Sequence, residues 1–67
     1  MNINIRKSII SNFKDSSIEE MKDSIESSIK DNEEITLPGL GVFFEILWKN
    51  SSIEIQNTIL ETIKNNL

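Results

Sequence analysis

Any chemistry in this chain must come from hydroxyls, carboxylates, amines and one guanidinium, because the sequence holds neither cysteine nor histidine. That removes the commonest acid/base group and metal ligand, along with thiolate nucleophiles, thiolate metal sites and disulfides. Nine serines are present. A nucleophilic serine needs a base beside it, and only carboxylates and lysines are on hand. The neighbouring carboxylates Glu19 and Glu20 fall on an open helix face, where nothing raises a pKa. The acidic run Asp31-Asn32-Glu33-Glu34 offers oxygen ligands. A calcium loop, however, needs ligands at alternating positions and a glycine at its sharp turn, and the first glycine here is Gly39. Gly39-Leu40-Gly41 at a helix start could present free N–H groups to a phosphate. It lacks the Lys-Ser/Thr ending of a P-loop and has no βαβ unit around it. The residues therefore assign no catalytic group, cofactor, metal or small-molecule ligand. The expectation is a protein that is not an enzyme.

The stretch that organises the rest is Leu37-Pro38-Gly39-Leu40-Gly41-Val42-Phe43-Phe44-Glu45-Ile46-Leu47-Trp48. It contains the only proline, both glycines, the only tryptophan and two of the three phenylalanines. Leu37 precedes a proline and is expected to be extended, with Pro38 in the first turn of a helix running to about Lys49. At 3.6 residues per turn the apolar side chains of that helix cover about 240° of its circumference, leaving an arc to Gly41, Glu45 and Lys49. Such a helix is buried in the middle of something: the other helices surround it, or part of it meets a second chain. Two glycines near its start cost about 1 kcal/mol each if interior. Clearance for another backbone is the reason expected for them, so that a bulky residue at Gly41 would unfold or dissociate the protein. The same residues admit a second reading, a β-hairpin over 35–44 with a turn at Pro38–Gly41, since β-branched and aromatic residues favour strands.

Three further helices flank this one. Over residues 3–14, Ile5, Ile9 and Phe13 recur every four positions with Ile3 and Ile10 beside them, and Asn2 or Asn4 can cap the start. Arg6 falls within that apolar arc, its stem free to lie along the core edge. Over 17–31, Ser16 with Glu19, or Ser17 with Glu20, makes a capping box. Ile18, Met21, Ile25 and Ile29 then form a seam only about 80° wide, with acidic residues on the rest. Over 52–65, Ser51 with Glu54 reads as another capping box, and the isoleucines and leucines of that helix span about 160°. The expected fold is all-α, one domain over residues 1–67: a compact bundle of four short helices at about 3–14, 17–31, 38–49 and 52–65, packed around the third. The alternative is α+β, with the hairpin at 35–44.

Thirteen isoleucines and no alanine supply the packing. Isoleucine is a middling helix former, so tertiary contacts must hold these helices. A chain of 67 residues is marginal unless dense packing or self-association helps. The net charge of −4 argues against nucleic acid, which usually leaves a basic footprint. The charge is uneven: residues 1–14 carry +3, from Arg6, Lys7 and Lys14, and residues 15–34 carry −6. A basic first helix beside an acidic second one is the simple reading, and a basic arm for an external anion the other. Ser11-Asn12 cuts short the apolar run after Lys7, so no signal peptide is expected. The longest mainly apolar stretch, 40–48, is too short to span a bilayer.

The run from Leu37 to Trp48 resembles one family closely. Small acid-soluble spore proteins of the I type, from endospore-forming bacteria, carry Leu-Pro-Gly-Leu-Gly-Val, then an apolar pair, Glu, two aliphatics and Trp. The opening Met1-Asn2-Ile3-Asn4-Ile5-Arg6 with Ile9-Ile10, the acidic Glu33-Glu34, and Leu60-Glu61-Thr62 are similar as well. The likeness covers nearly the whole chain. Ser8 and Ser11 depart from it, standing where small alanine-like residues would be expected, as does the short tail. The resemblance implies a minor, non-enzymatic protein made in the developing forespore and held in the spore core, not secreted, with a structural or storage role. The DNA-coating α/β-type spore proteins are a different family. Their glycine-rich and alanine-rich character and their germination-protease signature are missing here, so the shared name does not bring DNA binding with it. The other function consistent with the residues is a helical interaction module, forming a homo-oligomer or gripping a spore-core protein through the third helix.

Overall fold

The computed structural model describes residues 4–67. These form α1 (Ile5–Phe13), α2 (Ile18–Asp31), a 3-10 turn (Glu34–Thr36), α3 (Leu37–Lys49) and α4 (Ile53–Asn65). The architecture is all-helical. No strand occurs among the described residues, and the hairpin alternative over 35–44 is overturned, since those residues pass from the 3-10 turn straight into α3. The expected cap at Asn2 and the apolar contribution of Ile3 lie outside the described residues.

Local chemistry starts each helix. Asn4 caps α1, its side-chain oxygen accepting from the Lys7 amide at 2.9 Å. Ser17 caps α2 with both bonds of a capping box: its hydroxyl accepts from the Glu20 amide, and the Glu20 carboxylate accepts from the Ser17 amide. Asn32 then ends α2 in the left-handed region, at φ 52° and ψ 36°, and returns its amide to the Ile29 carbonyl. Asparagine is the residue that replaces glycine most readily there. Ser52, and not Ser51, caps α4, accepting from the Ile55 amide. The expected Ser51–Glu54 box does not form, because the Ser51 hydroxyl donates to the Leu47 carbonyl at the end of α3.

The entry to α3 differs from expectation. Leu37 is helical at φ −59° and ψ −42° rather than extended. Steric pressure from Pro38 disfavours that conformation. The turn before it prevails: Leu37 gives its amide to the Glu34 carbonyl, and the Thr36 hydroxyl donates to the Glu33 carbonyl at 2.8 Å. The 3-10 turn thus delivers the chain in helical register one residue before the proline.

α1 packs across α3. The Phe13 and Phe43 rings meet edge to face, with centroids 5.0 Å apart and planes at 79°, a favoured aromatic geometry. Gly39 lies beneath α1, where an added Cβ would stand 3.3 Å from Ile9 Cδ1. The close approach at Gly39 is thus to a flexible side-chain end, which would have to give by a few tenths of an ångström, and not to the expected backbone. A Cβ at Gly41 would meet nothing within 4 Å, so no neighbour inside the chain requires that glycine. α4 is tied to α3 by the Gln56 side-chain amide, which donates to the Trp48 carbonyl at 2.9 Å.

Val42, 5% exposed, is the one described hydrophobic residue almost fully removed from solvent. The radius of gyration is 13.2 Å, against about 11 Å for a tightly closed domain of this length. The helices are in contact, but they enclose little.

Candidate functional site

α3 brings the Leu37–Trp48 residues onto several surfaces. Leu37 and Pro38 are exposed at its start, and Gly41 is exposed one turn later. Val42 faces inward. Gly39, Leu40 and Phe43 are half-buried toward α1 and α2. Phe44, Ile46 and Leu47 remain exposed, at 39%, 43% and 47%. Trp48 is half-buried, its ring tilted against Phe44 at a centroid distance of 6.0 Å.

These positions open into an apolar groove of about 530 Å³, with α1 supplying Ile10 and Phe13, α2 supplying Met21 and Ile25, and α3 supplying Phe44 and Leu47. Among the described residues Lys14 is its one charged lining residue, and no carboxylate lines it. A second hollow, between α3 and α4, is lined by Phe44, Glu45, Trp48, Lys49 and Leu60. Phe44 lines both. One apolar surface therefore runs from Ile10 over Leu47 and Phe44 to Leu60.

The polar feature of α3 is Glu45. Arg6 on α1 grips it with three charge-assisted bonds, Nη2 to Oε1 at 2.7 Å, Nε to Oε2 at 2.8 Å and a longer one from Nε to Oε1 at 3.2 Å, the planar fork that suits a carboxylate. The hydrogen bond from Arg6 holds the Glu45 carboxyl below the usual carboxylate range. Burial pushes the other way, and the positive charges of Arg6 and Lys49 add to the lowering. The same bond raises the Arg6 guanidinium further. Sequence reading missed this pair. It placed Arg6 along the core edge and left Glu45 on the polar arc, and 39 residues separate them. The signal available was a lone acid on an apolar helix and a lone arginine in an apolar arc.

No three carboxylates converge as a metal ion would require among the described residues. Glu19 and Glu20 are exposed on α2, and Glu20 is engaged in the cap. Among the described residues no helix is long and apolar enough to cross a membrane.

Comparison with other proteins places the sequence in a family. Residues 3–67 match the family described as "Small, acid-soluble spore protein I". Proteins of that name are similar along the full chain. That of Halalkalibacterium halodurans is 39% identical, with 98% of its length covered. That of Bacillus cytotoxicus is 36% identical with 96% covered, and that of Bacillus velezensis 36% with 94%. No solved structure matches the chain. With nearly every residue aligned from end to end, the chain belongs to the small, acid-soluble spore protein I family, a family of spore proteins.

Proposed function

We propose that the protein is a non-enzymatic minor constituent of the spore core, made in the developing forespore during sporulation and serving a structural or storage role. The match to the spore-protein family over residues 3–67 carries this reading. The side chains support it: without cysteine or histidine, a reaction would fall to serines and carboxylates. The serines that make contacts serve as helix caps and terminal bonds. Immunodetection tests the assignment. The protein is expected in acid extracts of purified spores and absent from vegetative cells. Equal amounts in growing cells would sink it.

A second reading, a helical interaction module acting through α3, is favoured by the exposure of Phe44, Ile46 and Leu47. DNA association has less support, because Arg6, one of three basic residues near the start, is already committed to Glu45. A gel shift at low salt is expected to show no complex.

A further inference from the structure

The accessible surface of the chain is 6089 Å². A folded monomer of its mass, 7.7 kDa, exposes about 4,300 Å². The excess over the whole chain, roughly 1,800 Å² on that scale, is larger than the ~800 Å² that each partner buries in an ordinary specific interface. The radius of gyration, 13.2 Å, shows the same openness. Part of the exposed area is a continuous surface, the one running from Ile10 across Leu47 and Phe44 to Leu60, where those four side chains are 39–50% exposed. Its main groove contains no acid. The one acid lining the second hollow, Glu45, is already bound to Arg6, so two chains of net charge −4 can meet there without an unpaired carboxylate in the contact, while the acids of α2, such as Glu19 and Asp23, line neither hollow.

We infer that this surface is covered by a second copy of the same chain, giving a two-fold dimer with Phe44 near its centre. A two-fold contact uses the same patch on both subunits. Each copy offers exposed Phe44, Ile46 and Leu47 and can cover those of the other. The pairing stands apart from any spore role. Sedimentation speaks to it alone, and localisation speaks to the role alone.

The test is sedimentation equilibrium of the full chain, with thermal unfolding followed across a roughly hundredfold range of concentration. The expected species has twice the 7.7 kDa chain mass, with an unfolding midpoint that rises with concentration. Leu47→Glu places a charge in the contact and is expected to weaken pairing at least about tenfold. Ile53→Glu, at a site 76% exposed outside both hollows, is expected to leave it unchanged. Should Leu47→Glu fail to fold, the concentration dependence of the unsubstituted protein still decides. A helical species of 7.7 kDa with a concentration-independent midpoint overturns the inference. Binding of that monomer to anionic lipid vesicles would give the surface to a membrane instead.

Discussion

At the scale of single residues, the Arg6–Glu45 bond makes a pH-dependent contribution. Because the carboxyl of Glu45 sits lower in the folded chain than the usual range, folding is favoured above that range, and the contribution fades as pH falls through the lowered value. Glu45→Gln should therefore lower the unfolding midpoint modestly at neutral pH, with the difference from the unsubstituted protein closing in acid. A difference that persists undiminished in strong acid would assign the effect to packing. Gly41 makes the opposite case. Its site is helical and open, so Gly41→Ala should stabilise by about 0.5–1 kcal/mol in urea titration. A loss instead would mean that another backbone lies against it. Composition and spacing placed both glycines near the start of α3 and led to the expectation of another backbone against them. They could not tell which one lay under a neighbour, because that depends on where α1 crosses. The Arg6–Glu45 pair was hidden for the same reason: it depends on how two helices cross, and no local pattern carries that.

Elements were far more legible. Serines, asparagines and isoleucine spacing act within a few residues, and the four helices follow from them with boundaries displaced by a residue or two. The exceptions arise where a neighbouring turn competes. Ser51 is drawn back to the Leu47 carbonyl, leaving the cap to Ser52. Leu37 is held helical by the turn at Glu34–Thr36. Ser17→Ala should cost about 1 kcal/mol, since it removes the hydroxyl of a two-bond box. Ser51→Ala should cost less, because its hydroxyl satisfies one terminal carbonyl and no capping amide depends on it. Chemical denaturation of the two variants orders them. A larger loss at position 51 would contradict the cap placement.

For the whole molecule, the consequence of an open arrangement is a weak response to denaturant. The slope of stability against urea follows the surface exposed on unfolding, and this chain starts with much of its surface already wet. Diluted to a single chain, it should unfold with a slope at or below about 1 kcal/mol per molar urea. A steep transition under those conditions would mean a closed core. The wide apolar arc of α3 in the sequence led to the expectation of a helix buried by its neighbours or by a second chain. It could not show how much of that surface its own helices would leave uncovered. The joint between α3 and α4 also gives the molecule an optical property. Trp48 is its one indole, and it has no tyrosine. Near-ultraviolet emission thus arises almost wholly from a ring lying against Phe44, in the residue whose carbonyl holds Gln56. Release of α4 would hydrate that ring and move its emission to the red, so the opening of this one joint can be followed as a change of colour.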